Sequence, residues 1–402
     1  MYNDIIIDAA NQLQNLLPDA GGEGRLTISS PAKAARLRAI LAQTKDSLNT
    51  WAGDATKLTA TELQGLAELQ SDFVTEQLRQ ALPAGQRAIV NTVEISPQFA
   101  QSVVTTDPTQ LNVVALSDDL YKSVYGVDAL AKQAGTGAFN LTATQGTMIT
   151  LPNGEVVSKA FRGIAVDQAE RFSQVVRNGL LTGESTPSIA KRLIGKLQFG
   201  DYGPLSTGQV RAAGLSVKQL LAAGGELTTV ANNQVMALVR TSINQVANVA
   251  SQQVYEANQD ITKKYRYIAT LDTKTSAICR ALDGREFEYG KGPTPPQHFN
   301  CRSTTVPVLD YDQLGKDLGI KDLEPPPSGK RAASGGMVPS DTTYGEWLKK
   351  QPRSVQNDAI GADKVPYFNK LADKYGARDA MAKLVRDDGS ELTLEQLRKR
   401  YG

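Results

Sequence analysis

The sequence predicts a mainly α protein with one small β-rich module, an α+β chain of several domains and elongated helices. Three observations carry that reading. Apolar residues recur at spacings of three and four through most of the 402 residues. One stretch, from Lys264 to Val308, changes to an alternating beat. Aromatic residues are only 6% of the chain, so the helical cores are filled by aliphatic side chains. At roughly 100 to 200 residues per domain, this length implies two or three domains.

Composition excludes several classes. Lys and Arg number 44 against 42 Asp and Glu, a net charge of +2. A chain so nearly neutral does not coat nucleic acid or an anionic membrane through bulk charge. The charge is uneven, because residues 1–150 hold ten basic and fifteen acidic groups, −5, which leaves +7 for residues 151–402. The two ends are therefore suited to different partners. No apolar run approaches the ~20 residues that span a bilayer, and Met1 to Leu17 carries Asp4 and Asp8 without a basic start, unlike a secretory signal. The expectation is a soluble protein made in a cytosol. Two cysteines cannot supply the disulfide framework of a small secreted fold.

Residues 1–147 read as an N-terminal helical region. Ser30 and Pro31 form a cap and first-turn pair ahead of Leu37, Ile40, Leu41 and Leu48. Thr59 to Glu62 reads as a capping box opening a second helix, with Leu63, Leu66, Leu69 and Phe73 on one face and Pro83 as its stop. Ala84 to Asn112 reads as irregular, with β-branched pairs at Val103-Val104 and Val113-Val114. Residues 148–260 form a hairpin and long-helix scaffold: Pro152-Asn153-Gly154-Glu155 supplies the turn, and helical spacing resumes at Phe161 and runs to Gly183. Thr186-Pro187 caps a further helix, and Leu227 to Asn258 is the longest periodic stretch. Residues 261–323 are the β-rich module, with strands at Lys264 to Leu271, Arg285 to Tyr289 and Thr304 to Val308. Residues 324–340, with Pro325-Pro326-Pro327 and then Ser and Gly, read as a stiff-then-flexible linker. Residues 341–402 read as a C-terminal helical docking unit with a capping box at Thr393 to Gln396. Trp347, one of two tryptophans, suits either a partner-binding anchor or the core of that unit.

The soft metal-type ligands of the chain, Cys279, His298 and Cys301, fall within 23 residues. Zinc prefers thiolate and imidazole, and His-x-x-Cys places two donors on one turn facing a third. Asp272, Asp283 or water would complete a tetrahedron. A metal-free packed cluster and a disulfide fit the same grouping. No Walker A, G-x-G-x-x-G or G-x-S-x-G pattern occurs, so nothing in the sequence requires an enzyme.

Three segments together, Leu271-Asp272-Thr273-Lys274-Thr275-Ser276-Ala277-Ile278-Cys279, Leu282-Asp283-Gly284-Arg285-Glu286-Phe287 and Pro295-Pro296-Gln297-His298-Phe299-Asn300-Cys301-Arg302, resemble the phage Mu F-like minor head (head morphogenesis) proteins. Val239-Arg240-Thr241-Ser242-Ile243 with Asn244 and Asn248 resembles the Arg-Thr helix of that family, and Tyr344 to Gln351 and Leu392 to Leu397 resemble the tail of many phage head proteins. Many relatives carry Cys-x-x-Cys and Cys-Arg-Cys where this chain has Ser276 and Ser303. The resemblance covers roughly residues 160 to 400 and implies a non-enzymatic virion protein with no cofactor beyond a structural zinc. It implies few copies at a symmetric vertex, with the portal or major capsid protein and packaged DNA as partners and no membrane. Arg240 and Trp347 are the expected contact residues. The alternatives are a Mu F-like module carrying an effector or toxin activity and a nucleic-acid-binding protein. The terminal unit from Lys330 holds 14 basic and 10 acidic residues, a weak patch for the latter.

Overall fold

The computed structural model describes residues 2–14, 31–95, 157–182, 226–321, 323–326, 329–386 and 389–402. Described residues form eleven α-helices, one 3-10 helix and five strands, a mainly helical chain with small antiparallel sheets as the sequence predicts. The chain divides into two units, one of Met1–Thr59 with Val157–Val239 and one of Ala60–Val156 with Arg240–Gly402. Two long helices each give residues to both units. The Val103-Val104 and Val113-Val114 pairs, the hairpin at Pro152 to Glu155 and the Thr186-Pro187 helix lie outside the described residues. No helix among the described residues is long and apolar enough to cross a membrane.

In the first unit, α1 (Tyr2–Gln14) buries Ile6, Ile7, Ala10 and Leu13 on one face. Helix α2 (Pro31–Gln80) begins at the predicted proline and buries Leu37, Ile40, Leu48 and Trp51. Helix α3 (Val157–Thr182) starts four residues before Phe161 because Val157 extends the same buried face through Phe161, Ala165 and Phe172. The Trp51 and Phe161 rings meet edge to face at 6.0 Å.

The second unit begins within α2, which runs unbroken through the expected capping box. A Thr-x-x-Glu sequence caps only where the preceding backbone leaves helical angles, and here a helix already formed propagates at one bond per residue. The buried face also differs from the predicted one: Leu63, Ala67, Val74 and Leu78 are buried, whereas Leu69 and Phe73 are 71% and 57% exposed. With 50 residues, α2 spans about 75 Å at 1.5 Å per residue and exceeds α4 (Glu226–Ala257, 32 residues), which the sequence marks as longest. Helix α4 packs Val254 and Tyr255 against Val74, Leu78 and Leu82. Gln70 Nε2 donates to Ser251 Oγ at 3.0 Å, and the Asn258 carboxamide pairs with the backbone N–H and C=O of Asn91 at 2.7 and 3.0 Å.

Glu256 on α4 is half-buried, and burial pushes its carboxyl up to about 7 from an ordinary 4.5. A raised folded value means that the ionised group opposes folding. Its penalty is absent below pH 4.5, grows as the pH rises and is complete above about 7. Glu256→Gln should therefore leave stability unchanged near pH 4 and raise it by on the order of 1–2 kcal/mol at pH 8, after allowance for solvent screening. Denaturant titrations at both values check this, and an equal effect at both would refute it.

Strands β1 (Thr262–Ile268), β2 (Glu286–Glu288) and β3 (Thr304–Leu309) form an antiparallel sheet in the order β2-β1-β3. Tyr265 faces Phe287 and Tyr267 faces Thr305, and these four point to the buried side, as the alternation predicts. Between β1 and β2 lies α5 (Ala277–Leu282), and α6 (Tyr311–Leu318) follows β3 behind an Asp310 cap.

The expected flexible linker contains a hairpin, β4 (Lys330–Ala333) and β5 (Gly336–Pro339), turning at Ser334-Gly335 with Gly335 at φ 97°. The Ser/Gly composition that suggests flexibility is what a tight turn requires. Helices α7 (Tyr344–Lys349), α8 (Arg353–Ile360), α9 (Val365–Tyr375), α10 (Ala377–Lys383) and α11 (Leu394–Tyr401) follow, with capping boxes at Thr343/Glu346 and at the predicted Thr393/Gln396. A Cβ at Gly345 would lie 2.0 Å from the Ala377 carbonyl oxygen, so α7 and α10 approach this closely only with glycine there. Trp347 is 2% exposed in a core with Tyr344, Phe368, Leu371, Leu384 and Leu397. Leu271 of the β-rich module belongs to the same core and forms a bridge with Ala333, so the terminal helices are not separately placed.

Candidate functional site

Helix α5 opens on Ser276, whose hydroxyl accepts the Cys279 N–H at 3.4 Å, and this cap directs the buried Cys279 thiol under the sheet. The loop after β2 returns His298 and Cys301 to the same place, with the Cys301 N–H donating to the His298 carbonyl at 3.1 Å. Cys279 Sγ lies 3.4 Å from His298 Nε2 and 3.7 Å from Cys301 Sγ, and the three ligand atoms lie within 4.8 Å of one another. Tyr267 Oη lies 3.3 Å from Cys279 Sγ. Both cysteines are free, their sulfurs well beyond the disulfide length of about 2.05 Å. His298 Nδ1 lies 2.8 Å from the Phe299 carbonyl oxygen, a contact that requires Nδ1–H as donor and leaves Nε2 facing sulfur.

The electrostatics follow from this packing. The hydrogen bond from Cys279, then that from His298 and its charge, hold the Cys301 thiol far below its ordinary value. The Cys301 contact and burial push Cys279 up, and burial and the two sulfurs push the Tyr267 phenol up. Burial alone would lower His298, but its hydrogen bond and charge interaction with Cys301 outweigh this and raise it. The cluster thus favours a thiolate at Cys301 surrounded by donors.

Neither expected carboxylate reaches the cluster. Asp272 is held by Arg302 at 2.5 and 2.8 Å, a bidentate pair that lowers its carboxyl. Asp283 turns to the other side of α5, where its oxygens accept from the N–H groups of Ala269 and Tyr344, both at 2.6 Å, and from Arg331 at 3.0 Å. A buried carboxylate needs this full set of donors. Next to Cys279 on α5, Arg280 reaches the Ala359 carbonyl in α8 and Glu391, which bridges to Val385 between the last two helices.

A polar stripe on α4 fixes the loop; its Thr241, Asn244 and Asn248 belong to the segment noted in the sequence, whereas Gln252 and Tyr255 were not singled out. Thr241 Oγ1 accepts the Asn300 N–H at 2.9 Å, and Asn244 Nδ2 donates to the Ser303 carbonyl at 2.8 Å. Gln252 Nε2 donates to Thr305 Oγ1 at 3.0 Å, and Tyr255 Oη to the Thr305 carbonyl at 3.2 Å. The signal was available: residues 241, 244, 248, 252 and 255 are polar or amphipathic at the spacing of a buried helix face. Arg240, beside this stripe, is exposed.

Motifs dispersed over residues 240–302 of the sequence thus meet at one place. No curated protein and no solved structure matches the chain. Residues 170–306 match the family described as Phage Mu protein F like protein, a span that holds α4, β1, α5, β2 and the whole Cys279, His298 and Cys301 cluster. Over residues 170–306, about a third of its length, this chain is therefore similar to the Phage Mu protein F like family.

Proposed function

We propose that the protein is a structural component of a phage head, a minor head or head morphogenesis protein that sits in the virion at the portal or inner capsid and assists head assembly or DNA delivery. The match over residues 170–306 carries this reading. Long helices with exposed flanks support it, since a protein that bridges several neighbours needs extended surfaces. Arg240 and Ile243 are exposed on α4 and form the contact face assigned to the portal or major capsid protein. Contact with packaged DNA is assigned to Tyr375, 41% exposed with the ammonium groups of Lys374 and Lys383 at 5.1 and 4.4 Å from its ring centre.

Quantitative mass spectrometry of purified virions and of emptied ghosts tests the reading. The expected result is a protein present in far fewer copies than the major capsid protein. Absence from particles, or a copy number equal to that of the shell protein, would overturn it. Arg240→Glu should lower incorporation severalfold while leaving the melting temperature of the free protein unchanged, because the side chain is exposed.

A further inference from the structure

We propose that Cys279, His298 and Cys301 bind one zinc ion through three protein ligands, with the fourth position taken by a non-protein ligand such as water. In tetrahedral zinc with Zn–S of about 2.3 Å and Zn–N of about 2.0–2.1 Å, sulfur pairs stand about 3.8 Å apart and sulfur–nitrogen pairs about 3.5 Å. The distances in the protein are 3.7 Å between the sulfurs and 3.4 Å between Cys279 Sγ and His298 Nε2. Two of the three donor pairs therefore stand at tetrahedral spacing, and the third, His298 Nε2 with Cys301 Sγ, lies within 4.8 Å, close enough for a small side-chain adjustment to complete the set.

The surroundings act as a metal site's outer layer does. The Phe299 carbonyl fixes His298 so that Nε2 faces the sulfurs, and Thr241, Asn244 and Gln252 hold the loop and β3 against α4. Among the described residues no fourth His, Cys, Asp or Glu joins the cluster. Asp272 and Asp283 are committed to arginines, and the Ser276 hydroxyl caps α5. A three-ligand set leaves one position open, unlike closed structural zinc of four protein ligands. His298 is only partly buried and Phe299 is exposed, so the outside ligand reaches the ion along their edge. The role of the ion is to tie α5 to the loop at Cys301. This inference is independent of the head-protein reading, because it concerns occupancy and not assembly.

The test uses the full chain, purified under reducing conditions without chelator and then reconstituted with zinc and desalted. Elemental analysis should find about one zinc per chain. With cobalt in place of zinc, the protein should show the thiolate-to-metal charge-transfer band of a tetrahedral site. Competition of wild-type protein with a chromogenic chelator gives the affinity, and Cys301→Ser and His298→Asn should weaken it about tenfold or more. Less than about a tenth of an equivalent of zinc with both thiols free would overturn the proposal in favour of a metal-free cluster. Reduced protein that reverts to a form two mass units lighter, lacking thiols and metal, would overturn it in favour of a disulfide. Should a variant fail to fold, the wild-type stoichiometry and cobalt spectrum decide alone.

Discussion

Asp283→Ala should destabilise the protein by about 3–5 kcal/mol and release residues 330–402 to protease. The Asp283 side chain is fully buried, and it accepts from the end of β1 at Ala269, from β4 through Arg331 and from the first residue of α7 at Tyr344. Removing the carboxylate leaves the Arg331 guanidinium, itself only 10% exposed, without its counter-charge, and leaves two backbone N–H groups unsatisfied. Arg331 would keep its bonds to the carbonyls of Thr342 and Ala269, which carry no charge to offset it. Denaturant titration together with limited proteolysis measures the effect. A loss below about 1 kcal/mol, with the terminal helices still protected, would show that the carboxylate does not hold them.

Trp347→Ala should cost a similar 3–5 kcal/mol. The ring is almost fully buried and meets Tyr344 edge to face at 5.2 Å, with Leu348, Phe368 and Leu371 in the same core. A close-packed core collapses only partly into a space of that size, so the cavity term adds to the lost burial. The protein should melt at lower temperature and lose the ordered near-ultraviolet signal of the terminal core. The two substitutions strike the same packed region, so the double variant should lose less than the summed single losses. Full additivity would mean that the Asp283 contacts and the terminal core are energetically separate.

The sheet was legible because Tyr265, Tyr267 and Phe287 alternate with charged neighbours, and alternation has one structural meaning. The grouping of Cys279, His298 and Cys301 was legible from residue type and spacing, because the three fall within 23 residues of one another. The phase of α2 was not. Leu63, Leu66, Leu69 and Phe73 offer a face as apolar as Leu63, Ala67, Val74 and Leu78, and the choice is made by Val254 and Tyr255 far along the chain. Asp283 reads locally as the first residue of an Asp-Gly turn, and Gly284 does adopt φ 76°. That the same carboxylate collects donors from residues 269, 331 and 344 depends on tertiary contacts that no local pattern encodes.

The span that carries the family match differs from the span that can fold. A fragment cut at residues 170 and 306 would take part of α3, all of α4, β1, α5 and β2 and only the first half of β3, and would leave behind Val74, Leu78 and Leu82, which cover Val254 and Tyr255. It would also lose Arg331 and the Tyr344 N–H, stranding the Asp283 carboxylate, and would bare Leu271 by removing Tyr344, Trp347 and Leu384. Heredity here follows a continuous stretch of sequence, whereas cohesion is built from stretches on either side of it. Any excision, graft or fusion of this segment must carry α2 from Ala60 and the chain through Gly402 with it.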